Sequence, residues 1–214
     1  WMVAGAGAAG PALEGYISRF GMRAAEGAVD SIKINGDVLQ FTTIGNKKPV
    51  GICGSGIIDL IAQMRINGWI NIAGELMPDA SESIVWIEEE RQYAAVYAAA
   101  NESAAGKPLY FTQQDILQYL DTKAAAYTMV ECLMETAGIG FEDIERIYLS
   151  GAFAAHSDLE SAITVGMYPD LPRDKFEIRN NTSLDGARIL LLDRERVQEV
   201  RYLAENIYCV QFAS

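Results

Sequence analysis

The sequence is poor in cysteine, histidine and basic residues. Its 214 residues include 3 cysteines and 1 histidine, and 17 lysines and arginines stand against 29 aspartates and glutamates. Cys53, Cys132 and Cys209 are far apart and form no C-x-x-C pair, so the sequence supports neither a disulfide framework nor a zinc or iron–sulfur site. We expect no metal ligands in this chain, and we interpret each cysteine as a small buried hydrophobic residue.

The shortage of basic residues and the lack of long apolar runs limit the classes of partner that the chain could bind. The net charge of −12 argues against nucleic acid or an anionic membrane as partner, because both require clustered lysine and arginine. No apolar run approaches the roughly 20 residues of a membrane-spanning helix, and no basic segment followed by an apolar one opens the chain. We therefore expect a cytoplasmic protein. Because Trp1 stands where an initiator methionine would be, we interpret the chain as a piece of a longer protein.

The first part of the chain predicts turns, a hairpin and a helix. Residues 4–15 are rich in Gly and Ala and are expected to form a turn-laden segment. Residues 31–44 alternate around Asn35-Gly36, which is typical of a hairpin with a two-residue type I′ turn. The next helix is expected to begin at Ser55 as N-cap and to end at Gly68. Its apolar positions are Ile57, Leu60, Ile61 and Met64.

The rest of the chain predicts a β-rich insertion followed by alternating strands and helices. Residues 69–110 contain strand-like and loop-like stretches, which predict a small inserted subdomain. Thr112 and Asp115 form a capping box for a long helix that Gly138 ends. The remaining elements are predicted as strand 144–149, a helix capped by the box Ser157 to Glu160, strand 176–179, helices 184–192 and 194–206, and strand 208–212. This alternation indicates a mixed α/β fold.

Residues 144–160 carry the strongest local indication of function. An apolar strand runs into a turn at Gly151, and a helix starts at Ser157. We expect this strand to be a central one, whose carboxyl end leaves free backbone amides beside a helix N-terminus, where α/β proteins often bind nucleotides. The alternative is a plain strand-to-helix corner, since any such corner needs a glycine-tolerant turn.

Several strings of the sequence occur together, in the same order, in one known family. They are residues 8–15 (AAGPALEG), 21–25 (GMRAA), 49–59 (PVGICGSGIID), 115–116 (DI), 149–153 (LSGAF) and 181–187 (NTSLDGA). With them the chain resembles, over nearly its whole length, the C-terminal domain of the reductive activators of corrinoid proteins.

The resemblance implies an actin-like fold, in which two ribonuclease-H-like halves close over ATP and Mg. Residues 1–214 would be the C-terminal part of that ATPase domain, a half-domain of ribonuclease-H-like α/β type with its β-rich insertion at 69–110. In this family an upstream ferredoxin-like domain carries a [2Fe-2S] cluster. The intact activator returns a Co(II) corrinoid protein of a methyltransferase system to Co(I), with the electron transfer coupled to ATP.

The resemblance also implies which residues form the nucleotide site. Gly151, Ala152 and Phe153 match the small-residue motif on which adenosine lies. Gly54 and Ser55 are a second candidate, with Ser55 acting as a cap of its own helix as the alternative. Glu14 would contact Mg-bound water or a domain hinge, or would pair with Arg19 or Arg23.

Parts of the family pattern are missing from this sequence. It contains no Asp-x-Gly-Thr phosphate hairpin, and relatives often have a second glycine near Ala152 or Ala154. His156, the single histidine, could suggest a cobalt ligand, but the chemistry of the family does not require one, and a surface or capping role is the simpler interpretation.

Two functions therefore remain open for the chain. The first is a fragment of an ATP-dependent corrinoid activator, unable to carry electrons by itself. The second is a non-catalytic docking or dimerisation module with a vestigial nucleotide site. A homodimer is a further expectation, because truncation would leave an edge free to pair.

Overall fold

A computed structural model describes residues 2–6 and 17–211 of the chain. The chain divides into two compact units. The hairpin unit comprises residues 9–124 and 157–168, and the parallel-strand unit comprises residues 1–8, 125–156 and 169–214. Strands and helices are numbered along the whole chain. The predicted turn-laden segment 4–15 lies outside the described residues from residue 7 onward, and its first residues instead belong to a strand, β1 (Met2–Ala6).

The hairpin unit holds two small sheets and three helical segments. Its elements are β2 (Ala28–Asn35), β3 (Val38–Thr43), β4 (Gly51–Ile52), α1 (Gly54–Ile66), β5 (Ile84–Ile87), β6 (Gln92–Ala98), β7 (Leu109–Thr112), the first turns of α2 (Gln113–Ala137), and α4 (Leu159–Thr164). One sheet has the order β3-β2-β4, and the other is the antiparallel meander β5-β6-β7. The strands between residues 84 and 112 agree with the predicted β-rich character of 69–110, whose status as an inserted subdomain stays a prediction.

The predicted hairpin is present, but its turn differs from the prediction. Asn35 pairs with Val38, so the two loop residues are Gly36 and Asp37 rather than Asn35 and Gly36. Gly36 has φ +63°, whereas Asp37 is not among the residues with positive φ. A type I′ turn requires positive φ at both loop positions, so the predicted turn type is wrong.

Helix α1 packs directly on strand β2. A Cβ built on Gly56 would lie 2.4 Å from the backbone oxygen of Val29, so only a glycine allows the helix to approach this closely. The helix begins at Gly54 with Cys53 as its N-cap, which corrects the predicted cap at Ser55. Its predicted end is confirmed, because Gly68 follows it with φ +72°.

Two polar side chains of α1 and that of its C-cap residue, Asn67, bind the backbone of β2. Asp59 Oδ2 accepts hydrogen bonds from the Ile32 amide (3.2 Å) and the Ser31 hydroxyl (2.8 Å). Gln63 Oε1 accepts from the Ile34 amide (3.1 Å), and Asn67 Nδ2 donates to the Ile34 carbonyl (3.2 Å). These side chains are spaced by four residues, so they lie on one face of the helix. They satisfy an edge of β2 that pairs with β4 only at Ala28 and Val29.

The long helix α2 begins with the predicted capping box. The Asp115 amide donates to Thr112 Oγ1 (3.1 Å), and the Thr112 amide donates to Asp115 Oδ2 (2.8 Å). The predicted end is also confirmed, because Gly138 follows the helix with φ +68°. Ile116 and Tyr119 are buried, whereas the apolar side chains of the later turns are more accessible.

The parallel-strand unit contains two pairs of parallel strands. Its elements are β1, the later turns of α2, β8 (Ile147–Ser150), α3 (Ala152–His156), β9 (Phe176–Arg179), α5 (Thr182–Leu192), α6 (Arg196–Asn206) and β10 (Ile207–Gln211). β1 pairs with β10, and β8 pairs with β9. Helices α5 and α6 contain no buried residue in the described structure; Leu191 and Leu192, for example, are 83% and 78% exposed.

Two local predictions around β8 need correction. The strand was expected to be central, but among the described residues β9 is its one neighbouring strand. The helix predicted to start at the Ser157 box is α4, which starts at Leu159 with Asp158 as N-cap, and an additional helix that was not predicted, α3, directly follows Gly151. Asp158 Oδ1 accepts from the Ser161 amide at 2.7 Å, so the aspartate performs the capping expected of the serine.

We predict that Gly56→Ala destabilises the protein, whereas Gly186→Ala does not. Both glycines lie in helices, where alanine is intrinsically favoured by up to about 1 kcal/mol. At Gly56 the new methyl group meets the Val29 carbonyl, which should cost about 2 kcal/mol net. At Gly186 a Cβ has no neighbour within 4 Å, so stability should be unchanged or increased. Urea denaturation of both variants tests this; equal stabilities would contradict close packing at Gly56.

Candidate functional site

The candidate site lies where strands β8 and β9 end. The two strands are parallel and in register from Ile147↔Phe176 to Ser150↔Arg179, so both carboxyl ends lie at the same edge. We call residues 150–153 and 180–182 the β8–β9 corner. Short connections there lead from each strand into a helix, α3 and α5. In α/β proteins, this edge of a parallel sheet is where ligands commonly bind.

Gly151 occupies the turn out of β8. Its φ is +102°, a conformation that side chains other than glycine rarely adopt. Its amide donates to the Asn180 carbonyl (3.1 Å), and its carbonyl accepts from the Ala155 amide (3.1 Å) in the first turn of α3. A Cβ built on Gly151 would have no heavy atom within 4 Å. The glycine therefore serves the backbone conformation, and the space beside it is open.

A network of hydrogen bonds centred on Ser150 joins the two strand ends. Its hydroxyl lies 2.8 Å from the Asn180 carbonyl and 2.7 Å from Thr182 Oγ1. The same oxygen also accepts from the Thr182 amide at 3.3 Å. Asn181 Oδ1 accepts from the Leu184 amide (3.0 Å) and caps α5. The end of β8 and the start of α5 are thus held in one arrangement.

Charged groups and an exposed ring flank the corner along the strands. Glu177 pairs with Arg179 and, at 3.6 Å, with Arg146. The guanidinium of Arg179 lies 5.9 Å from the centre of the Tyr148 ring, and Tyr148 is 59% exposed. These contacts are solvent-accessible, so each stabilises the fold only weakly. They leave an aromatic face and a cation beside the corner.

The residues after Gly151 differ in accessibility. Ala152 is exposed, Phe153 is half-buried, and Ala154, 7% exposed, anchors α3. His156 is exposed at the end of this helix. In the described part of the chain, no group of three or more His, Cys, Asp or Glu side chains is placed to hold a metal ion.

Gly54 and Ser55 belong to the hairpin unit, whereas Gly151, Ala152 and Phe153 belong to the parallel-strand unit. Gly54 is buried, and the Ser55 hydroxyl donates to the Asp30 carbonyl at 2.9 Å. These contacts favour a structural role for this pair, although the role is not the predicted cap. Glu14 lies outside the described residues. Arg19, one of its two suggested partners, pairs with Glu90 at 2.8 Å.

Sequence reasoning missed Ser150 and Thr182 as parts of the corner. Asn181, within the motif string 181–187, is the N-cap of α5. The available signal was positional: small polar residues end one parallel strand and follow the next. Their contact depends on the register of β8 with β9, which no local pattern reveals.

The strands and helices of the described residues belong to a mixed α/β domain. A family model described as the C-terminal domain of RACo, the ASKHA domain, matches residues 1–214. The chain therefore belongs to this family. The resemblance derived from residues 8–15, 49–59 and 149–153 is confirmed, and with it the actin-like fold.

The relatives of the chain are corrinoid activators. It is 32% identical to the corrinoid activation enzyme RamQ of Eubacterium limosum over 88% of the chain, and 25% identical to a [Co(II) methylated amine-specific corrinoid protein] reductase of Methanosarcina barkeri over 96% of it. A solved reductive activator for a corrinoid, iron–sulfur protein superimposes with a TM-score of 0.88 over 99% of the chain at 35% identity. The chain spans 33%, 38% and 34% of these three proteins.

The longest described helix, α2, has 25 residues, but no helix in the described part of the chain combines sufficient length with sufficient apolarity to cross a bilayer.

We predict that Ser150→Ala loosens the β8–β9 corner. The substitution removes the hydroxyl that contacts Asn180 and Thr182, which should cost about 1 kcal/mol. Hydrogen exchange of the Thr182 and Gly151 amides should accelerate more than exchange elsewhere in the unit. Thr136→Ala is the matched control, because its hydroxyl bonds only to Cys132 of its own helix, at 2.7 Å. Exchange rates unaffected by Ser150→Ala would show that the hydroxyl does not hold the corner.

Proposed function

We propose that the β8–β9 corner is the adenosine-side wall of an ATP site. The observation that carries the proposal is Gly151: its backbone is held at φ +102° at the carboxyl end of a parallel strand, and the space on its Cβ side is open. A planar base can approach main-chain atoms there more closely than any side chain would permit. Ala152 and Phe153 follow in the same turn and would complete the wall.

The corner fits the nucleoside part of ATP better than its phosphates. Arg179 and the N-terminus of α5 offer positive potential, but Glu177 already pairs with the guanidinium, and Asn181 already caps the helix. The sequence has no Asp-x-Gly-Thr hairpin to hold Mg and the phosphates. In the intact protein, ATP would supply the free energy of the reaction. Residues 150–153 would bind and orient the adenosine.

The wider function that we propose is reductive activation of a corrinoid protein. The named relatives are a corrinoid activation enzyme, a Co(II) corrinoid protein reductase and a reductive activator. By analogy, the protein containing this chain would use ATP to return Co(II) to Co(I) in the corrinoid protein of a methyltransferase system. That corrinoid protein would be its partner, and the cytoplasm its location.

The cysteines of this chain do not fit an iron–sulfur cluster. Cys53 is buried in the hairpin unit, whereas in the parallel-strand unit Cys132 is half-buried and Cys209 is exposed, so the expectation that each cysteine is buried is wrong for these two. No metal-binding group of three or more side chains forms among the described residues. Any [2Fe-2S] cluster of the intact protein would therefore be held by another domain. The electron would reach the corrinoid from that domain, and this chain would contribute to ATP binding.

A second candidate function is a docking or dimerisation module with a vestigial nucleotide site. It is favoured by the apolar side chains that α5 and α6 leave open to solvent, such as Leu184, 65% exposed, and Tyr202, 66% exposed. The two functions differ in one simple measurement. The activator requires the intact protein to bind ATP, whereas the docking module does not.

We predict that Gly151→Val in the intact protein abolishes ATP-dependent reduction of a Co(II) corrinoid protein. The isopropyl group would fill the open space that adenosine needs, and φ +102° disfavours a branched residue. The spectrum of any iron–sulfur cluster should be unchanged. The measurement is the ATP-dependent appearance of Co(I), combined with a thermal melt with and without ATP.

Gly138→Val is the matched control for backbone strain. Gly138 also belongs to the parallel-strand unit, has φ +68° and has no heavy atom within 4 Å of a built Cβ. The control should lose similar stability and keep its thermal shift with ATP. A folded Gly151→Val protein with normal ATP-dependent activity would falsify the assignment of Gly151 to the nucleotide wall.

We also predict that the 214-residue chain alone binds ATP only weakly. The phosphates carry the charge of ATP, and the residues that we assign to the site contact the nucleoside part. Isothermal titration calorimetry should give a dissociation constant well above micromolar. A micromolar constant, worth about 8 kcal/mol, would show that the chain also holds the phosphates.

A further inference from the structure

A polar cavity lies in the hairpin unit, at the N-terminus of helix α2. Its volume is about 350 Å³. It is lined by Ile17, Ser18, Arg19, Glu90, Gln92, Thr112, Gln114, Asp115 and Gln118. Eight of these nine residues are polar or charged, and all nine belong to the hairpin unit. The cavity is therefore separate from the β8–β9 corner, and the function proposed for the corner does not account for it.

Asp115 is the buried acid of this cavity. It is 7% exposed, and its Oδ2 accepts the capping hydrogen bond from the Thr112 amide. Oδ1 makes no hydrogen bond, and the carboxylate forms no ion pair, among the described residues. Burial raises the pKa of Asp115, and the charge of Glu90 raises it further, while the hydrogen bonds with Thr112 and the proximity of the Ser18 hydroxyl, beyond hydrogen-bond distance, partly offset this. Oδ1 can therefore accept from a ligand, and a cation in the cavity would favour the charged form of this largely buried carboxyl.

Ser18 presents a second polar atom without a partner. The residue lines the cavity and is 8% exposed, and its Oγ has no hydrogen-bond partner in the described structure. It lies near enough to Asp115 to influence the pKa of the carboxyl. An orphaned buried hydroxyl costs about 1–3 kcal/mol, so a ligand that satisfied it would gain binding energy.

Arg19 does not neutralise Asp115, because other groups engage its guanidinium. Its Nη1 lies 2.8 Å from Glu90 Oε1, 3.1 Å from Tyr110 Oη and 3.4 Å from Glu89 Oε2. Tyr110 also donates to Glu90, at 3.3 Å, and closes a three-residue network. One guanidinium and two carboxylates among the lining residues leave the cavity with a net negative charge.

We propose that this cavity binds a small organic cation bearing a primary ammonium group. The ammonium would donate to Asp115 Oδ1 and to Ser18 Oγ, with its third donor directed to a glutamine carbonyl such as that of Gln118. The cavity volume is at the lower end of the range for small-molecule sites, about 300–1,000 Å³, which favours a short amine.

The chemistry of the lining disfavours other ligand classes. An anion would be attracted by the N-terminus of α2 but repelled by Asp115 and Glu90. A multivalent metal ion would need more carboxylate or imidazole ligands, and no such group of three exists among the described residues. A neutral ligand would leave the charge of Asp115 uncompensated.

Calorimetric titration of the full-length protein with butylammonium, and with butanol as the uncharged isostere, tests the proposal. Butylammonium should bind at millimolar concentration and raise the melting temperature, and butanol should not. Asp115→Asn keeps an oxygen for the Thr112 amide but removes the charge, so butylammonium affinity should fall by about tenfold or more. Ser18→Ala should weaken binding several-fold.

Asp121→Asn is the matched control, because Asp121 is an exposed acid on the same helix. It should leave butylammonium affinity unchanged, and circular dichroism should show native helix content in all three variants. Absence of butylammonium binding to the wild-type protein would overturn the proposal. Equal affinity in Asp115→Asn, or binding of a lysine-containing peptide without binding of the free amine, would overturn it as well.

Discussion

The hairpin unit depends on how helix α1 satisfies the buried edge of strand β2 that no described strand pairs with beyond Val29. An unpaired buried amide on such an edge is costly. Asp59 and Gln63 accept from the amides of Ile32 and Ile34, and Gly56 allows the helix to come close enough for these bonds. The same approach buries the apolar residues of α1, so hydrogen bonding and hydrophobic packing require one and the same helix position.

The β8–β9 corner follows a comparable principle with fewer contacts. One serine hydroxyl joins two strand ends, and one glycine provides a backbone conformation closed to other residues. Neither interaction places a side chain beside Gly151, where a built Cβ would have no heavy atom within 4 Å. The corner is therefore open on the side where we place adenosine. A site of this kind combines a fixed backbone with free space, which is what a ligand needs in order to bind main-chain atoms.

The two units differ in how fully their apolar side chains are buried. In the hairpin unit, large side chains such as Trp69, Tyr97 and Phe111 are almost fully buried. In the parallel-strand unit, helices α5 and α6 contain no buried residue in the described structure. The known relatives are about three times as long as the chain. The open apolar faces are consistent with a domain that functions within a larger protein.

Local sequence patterns determined those elements that depend only on residues close together in the chain. The capping box of α2, the glycines that end α1 and α2, and the hairpin near Gly36 could be predicted because each depends on residues within one turn of chain. The motif strings, including residues 49–59, determined the family in the same way. Tertiary structure alone decided the contact of Ser150 with Thr182, the polar row from Asp59 to Asn67 against β2, and the cavity around Asp115. Each joins residues separated by some 25 or more positions, and only the packed register of strands and helices brings them together.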